Sequence, residues 1–106
     1  MMKIEFTPEA VRDLQRIKSY LDIEFGELIE KKALKDIMDS IEQLGLFPES
    51  GEPVFDKYGI AYDYFIYVVK KNYVFYRIER DSVKIVRVLD WRRDFMKILF
   101  ENDNNT

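Results

Sequence analysis

The stretch YDYFIYVVKKNYVFYRIERDSVKIVRVLDWRRDFMKILF, residues 62–100, decides the fold. Residues 62–69 are almost all aromatic or β-branched, which predicts a strand with apolar side chains on both faces. Lys70-Lys71-Asn72 predicts a turn, with Asn72 in the left-handed conformation that asparagine tolerates. Residues 73–79 read as the next strand, Arg80-Asp81-Ser82 as the next turn and residues 83–89 as the last strand. Strands so closely spaced make an antiparallel meander. Asp90 is placed to cap a final helix that opens on Arg92-Arg93 and turns Phe95, Ile98 and Leu99 inward.

This stretch is also where positive charge gathers. Residues 70–97 hold nine basic side chains against four acidic ones, a net of +5, while the whole chain is −3. A basic sheet and helix start are thus carried by an acidic protein, and its function has to account for that asymmetry.

Working outward, Met2, Ile4 and Phe6 alternate with Lys3 and Glu5, the period of a strand with one buried face. Thr7 is a natural helix N-cap, and Pro8 suits the first helical position because its missing N–H has no intrahelical partner there. Val11, Leu14, Ile17, Leu21 and Phe25 recur at helical spacing, with Arg12, Asp13, Arg16, Lys18 and Asp22 on the opposite face. Gly26 is suited to end this helix. From Leu28 the period resumes through Ile29, Ala33, Ile37, Ile41 and Leu44, so two helices form an antiparallel hairpin. Their apolar faces are expected to pack on sheet residues around Val74, Tyr76, Val86 and Val88. Phe47-Pro48 stops the second helix, since the residue before proline avoids helical dihedrals, and residues 49–53 read as a polar turn leading into a loop. The fold expected is α+β: an N-terminal strand, a helical hairpin on a mainly antiparallel four-stranded sheet and a short C-terminal helix. Residues 1–100 form one domain in this reading, and residues 101–106 a polar tail.

Composition narrows the chemistry. With no cysteine and no histidine, the chain lacks thiolate nucleophiles, zinc–thiolate sites and the usual general base, so any catalysis falls to Arg, Lys, Tyr, Asp or Glu. Glu24, Glu27 and Glu30 have the spacing of a solvated helix face, and no phosphate-loop, dinucleotide or EF-hand pattern occurs, so no metal and no cofactor is expected. No apolar run approaches the roughly 18 residues of a membrane span, and MMKIEFTPEA reads as a strand rather than a signal peptide. A cytoplasmic protein with no membrane partner is expected.

The candidate site residues are arginines and a lysine. Arg92 and Arg93, in the first turn of the final helix, would sharpen the anion-binding potential of its free N–H groups. The competing structural reading pairs them with Asp90, Asp94 or Asp63. Arg77 and Arg87, on strands that otherwise read as core, are edge charges, internal ion-pair members or part of the same anion surface, together with Lys97.

The segments FTPEAVRDLQRI (6–17), YLDIEFG (20–26), IEQLGLFPESG (41–51), NYVFYRIERDSVKIVRVLD (72–90) and RRDFMKILF (92–100) together resemble the RelE/ParE superfamily of bacterial type II toxin–antitoxin toxins. The resemblance covers nearly the whole chain. It implies a small α+β toxin neutralised by a cognate antitoxin, and leaves open whether the toxin also forms a homodimer. RelE-like members are ribosome-dependent mRNA endoribonucleases with basic residues on the middle strands, an arginine after the last strand and a tyrosine or histidine in the last helix. Here Arg93 matches that arginine, with Arg92 and Arg77 as further catalytic candidates. Tyr73 stands in place of the central-strand arginine, Leu99 in place of the terminal aromatic, and Tyr64 and Ile66 roughly in place of two lysines. Relatives often read Tyr-Arg where this chain has Tyr62-Asp63, and a carboxylate there repels phosphate. ParE-like members also lack the nuclease set and are associated with poisoning DNA gyrase, the target the resemblance favours over ribosome-bound mRNA. A degenerate member that only binds a partner is the remaining alternative.

Overall fold

The computed structural model describes residues 1–54, 63–94 and 97–101. Strand β1 (Lys3–Phe6) passes through Thr7 into helix α1 (Pro8–Phe25), where the Thr7 hydroxyl oxygen accepts from the Ala10 N–H at 3.0 Å. Gly26 alone separates α1 from helix α2 (Glu27–Leu46), donating its N–H to Asp22 and accepting at its carbonyl from Glu30, each at 3.0 Å. Its φ of 90° is a conformation that L side chains avoid, so the hairpin requires glycine there.

After α2 come a 3-10 turn (Pro48–Ser50) and strands β2 (Glu52–Pro53), β3 (Phe65–Val69), β4 (Asn72–Ile78) and β5 (Ser82–Asp90), then a helical turn (Lys97–Glu101). The sheet order is β1-β5-β4-β3-β2, with β1 parallel to β5 and every other pair antiparallel. One strand more is present than expected, because the polar turn read at residues 49–53 ends in two residues that pair with β3. Proline is tolerated in β2 because an edge strand needs no donor on its open side. In the β3–β4 turn the positive φ falls on Lys70, at 55°, and Asn72 already belongs to β4. The expected strand start at Tyr62, part of the loop before it, Phe95 and residues 102–106 lie outside the described residues.

Both faces of the sheet are covered. On one, Ile17, Ile37, Ile41 and Leu44 of the hairpin pack on Val69, Val74, Tyr76, Ile85 and Val88, with Leu14 and Leu21 half-buried at the margin. On the other, Val54, Ile66, Phe75 and Leu89 form a second apolar cluster, flanked by Tyr64, Tyr73, Ile98 and Leu99. The buried Tyr76 hydroxyl crosses to the loop after α2, donating to the Pro48 carbonyl at 2.6 Å and accepting from the Gly51 N–H at 2.9 Å. Burial pushes its pKa above the ordinary tyrosine value, so it remains a donor. A Cβ on Gly51 would lie 2.7 Å from this oxygen, which leaves room for glycine only.

The hairpin is tied to the sheet at a β-bulge. Phe75 pairs with Arg87 and Tyr76 with Ile85, so Val86, expected to pack among the sheet's core residues, is the extra residue without an opposite number. The two backbone groups flanking the irregularity are taken by α1. The Thr7 hydroxyl donates to the Val86 carbonyl at 2.7 Å, and the Val88 N–H donates to Asp13 Oδ2 at 3.0 Å. The same carboxylate receives Arg87 Nε at 2.7 Å, Arg87 Nη2 at 2.9 Å and Arg16 Nη1 at 3.2 Å. Asp13, expected on the solvent face of α1, is only 1% exposed. Glu30, likewise read as solvated, is 3% exposed and accepts from Lys18 Nζ at 3.1 Å, linking the two helices. Conversely Val11, Phe25, Leu28 and Ile29, expected on apolar stripes, are exposed. The apolar face of α2 toward the sheet is carried by Ile37, Ile41 and Leu44.

Removing one partner of a buried charge pair leaves the other uncompensated, at a cost of about 3–5 kcal/mol. Asp13→Ala is therefore expected to lower unfolding free energy by that amount in urea titrations, at least as much as a cavity variant such as Ile37→Ala at about 2–5 kcal/mol. The double variant Asp13→Leu/Arg87→Met, which removes both charges, should be less damaged than Asp13→Ala.

Candidate functional site

The end of β5 builds a tight turn. Asp90 Oδ1 accepts from the backbone N–H of Arg92 at 3.0 Å and from Arg92 Nε at 3.1 Å, and the Asp90 carbonyl accepts from the Arg93 N–H at 3.1 Å. The Trp91 N–H donates to the Lys71 carbonyl at 2.8 Å, pinning this turn to the one between β3 and β4. The Arg92 guanidinium carbon then lies 3.9 Å from the centroid of the Tyr20 ring, and Lys71 Nζ lies 5.7 Å from that of Trp91. Each cation rests on an aromatic face, a favourable electrostatic contact that also fixes its direction.

These residues surround a cleft of about 670 Å³. From α1 it is lined by Arg16, Ile17, Tyr20, Leu21 and Phe25, from the β3–β4 turn by Lys71 and Asn72, and from the end of β5 by residues 90–93. Its floor is apolar and aromatic. Its rim carries the cations Arg16, Lys71, Arg92 and Arg93 against the single acid Asp90. The hydrogen bond that Arg92 donates to Asp90 raises its pKa above the ordinary arginine value, and an arginine is a fixed positive charge at any working pH. Such a site suits binding of an anionic partner with an apolar anchor rather than proton transfer.

Of the five candidates read from sequence, the cleft brings together Arg92 and Arg93. Arg87 is committed to Asp13, whose hydrogen bonds raise its pKa. Arg77 lies toward the other end of β4, with Nη2 3.3 Å from Glu79 and a buried Nε that has no hydrogen-bond partner among the described residues. Lys97 is exposed and opens the C-terminal helical turn, its N–H donating to Asp94 Oδ1 at 3.2 Å. Arg92 and Arg93 therefore stand before that helix among the described residues, not in its first turn, and Asp94 rather than Asp90 sits at its start. Of the acids weighed as partners for them, Asp90 takes Arg92. Sequence reading missed Arg16, Tyr20, Lys71 and Trp91 as site residues. The available signal was Tyr20 following Arg16 by four positions, one turn along the same helix face.

A second result concerns the opposite sheet face. Tyr64, Ile66, Tyr73 and Leu99, at the positions where the resemblance places nuclease side chains, all belong to the apolar cluster around Phe75 and Leu89. Among the described residues no group of acids could hold a metal ion. No helix there is long and apolar enough to cross a membrane.

Compared with models of known families, residues 4–95 match the ParE toxin of the type II toxin-antitoxin system, parDE. The chain belongs to the ParE toxin family. Among solved structures, this ParE-family chain is similar to one from the chromosomal ParDE TA system of P. aeruginosa, with a TM-score of 0.72 and 19% identity over 85% of this chain and 96% of that one. At that identity the likeness speaks to the fold. No curated protein matches the chain.

The cleft's charge is expected to show in Trp91, the single tryptophan of the chain and 55% exposed. Although the protein is −3 overall, iodide should quench its fluorescence more strongly than caesium, because the local rim is positive. In Arg92→Ala/Arg93→Ala that preference should shrink or reverse while the melting temperature barely moves.

Proposed function

We propose that this ParE-family toxin inhibits growth by acting on DNA gyrase, without cutting RNA, and is neutralised by a cognate antitoxin. The observation that carries this reading is the filling of the nuclease positions by Tyr64, Ile66, Tyr73 and Leu99, packed with Phe75 and Leu89. A ribonuclease of the RelE kind needs cations for the phosphate and a group to move the proton. Those four side chains supply no cation on that face, and the chain has no histidine to move the proton. The Arg92–Arg93 cleft supplies binding instead, and an arginine held cationic is a poor general base. A target of this kind places the protein in the cytoplasm.

In a supercoiling assay the purified protein is expected to block gyrase, and in a translation extract it should leave ribosome-bound mRNA intact. Arg92→Ala/Arg93→Ala should abolish growth inhibition with little change in thermal stability. Position-specific cleavage of translated message by wild type, lost in that variant, would overturn the reading in favour of a RelE-like nuclease. Wild type that is harmless to growth would reduce the chain to a binding module.

The antitoxin is expected to be the product of the adjoining gene, carrying an acidic segment that reaches the basic end of the molecule. Co-expressed with this chain it should co-purify, and the association rate should fall steeply with added salt. Failure to co-purify at any salt concentration would remove the antitoxin from the proposal.

A further inference from the structure

The tip of the helical hairpin is the least explained surface of the molecule. Ile23 and Leu28 are 82% and 86% exposed, and Phe25 and Ile29 beside them are more than half exposed. Four large apolar side chains grouped in this way, two of them more than 80% exposed, mark an interaction site. The same tip is acidic, through Asp22, Glu24 and Glu27.

Next to it lies the opposite charge. Phe25 belongs both to the tip and to the lining of the basic cleft. Ile23 and Glu24 follow Tyr20 by three and four positions, so they continue that face of α1 past the cleft's end. Within one chain Phe25 meets Tyr20 edge-on, with ring centroids 6.2 Å apart, but among the described residues the charged groups of the two surfaces are not paired with each other. Arg92 is held by Asp90 and Tyr20, and Arg16 by Asp13. Arg93 in the cleft and Glu24 at the tip have no ion-pair partner among the described residues. An acidic, apolar projection and a basic, aromatic cleft that adjoin each other form a patch complementary to itself, the requirement for a two-fold contact.

We infer that the chain forms a two-fold homodimer in which the hairpin tip of each copy, Ile23 and Glu24 foremost, enters the Arg93–Trp91 cleft of the other. A second copy answers both features at once, giving the exposed aliphatics an aromatic floor and bringing Glu24 to Arg93, neither of which has an ion-pair partner among the described residues. It also covers the arginines to which the toxin reading assigns target binding, so dimer and target would compete for one surface. The dimer itself stands apart from that reading, since it rests only on shape, exposure and charge.

Sedimentation velocity on the full-length chain across micromolar concentrations tests it. A reversible monomer–dimer equilibrium is expected, weakened by added salt, with Trp91 emission moving to the blue as the dimer forms. Glu24→Arg or Arg93→Glu alone should raise the dimer Kd about tenfold or more, because each reversal sets like charges against each other twice. The double variant Glu24→Arg/Arg93→Glu should restore association, with circular dichroism used to check that all three variants are folded. A wild-type chain that stays monomeric throughout overturns the inference and returns this surface to another partner. A dimer indifferent to both single reversals, or a double variant no better than the singles, overturns it equally.

Discussion

The Asp13 carboxylate is the joint on which the two layers of this fold turn. It sits in α1, is almost fully buried, and receives the Val88 backbone N–H together with Arg87 and Arg16. A bulge in β5 would otherwise leave backbone groups buried without partners, at a cost of about 1–3 kcal/mol each. Thr7 and Asp13 remove that cost from the same helix, one at its cap and one in its second turn. The bulge, the cap and the ion pair are thus one device. It fixes where α1 crosses the sheet, and so where Tyr20, two turns further along, meets the turn after β5.

That crossing explains why the site lies where it does. The hairpin covers one sheet face, while the C-terminal helical turn brings Ile98 and Leu99 to the apolar cluster on the other. The corner between α1, the start of β4 and the end of β5 is left open, and there the rim cations gather. On that other face Ile66 is buried, and Tyr64, Tyr73 and Leu99 pack partly buried around Phe75 and Leu89. Positive charge near the end of β5 is kept in place by rings and by Asp90 rather than by a helix terminus.

Much of this was legible in the sequence because local rules are strong there. The Thr7-Pro8 start, the Gly26 break and the stop at Phe47-Pro48 each follow from backbone chemistry confined to a few residues. The meander follows from period and turn residues. What failed to show had a tertiary cause. Asp13 looks like a solvent residue on any helical wheel, and only the bulge in β5, far away in sequence, makes its burial favourable. Glu30 is hidden by Lys18 in the same way. Leu28 and Ile29 follow the helical period into a region that the hairpin extends beyond the sheet, so periodicity promised burial that geometry does not give. Of the site, Arg92 and Arg93 were visible as an unusual pair. Arg16, Tyr20 and Lys71 were not read, since a cleft made by three separated segments leaves in the sequence no more than a local pair such as Arg16 and Tyr20.

The charge asymmetry seen at the outset now has a spatial meaning. A net of −3 spread over the chain would repel a long polyanion, yet within a Debye length of roughly 8–10 Å a partner feels the local rim rather than the total. A cleft of this kind therefore discriminates by size. A nucleic-acid backbone many charges long would run past the four cations toward the acidic hairpin tip beside Phe25, whereas a short acidic segment with an apolar side chain would meet the cations and the aromatic floor alone. Preorganisation strengthens this bias, because Arg92 on Tyr20 and Lys71 on Trp91 are already held and lose little freedom when a ligand arrives. On the reading proposed above, a protein segment suits this corner better than a nucleic-acid backbone.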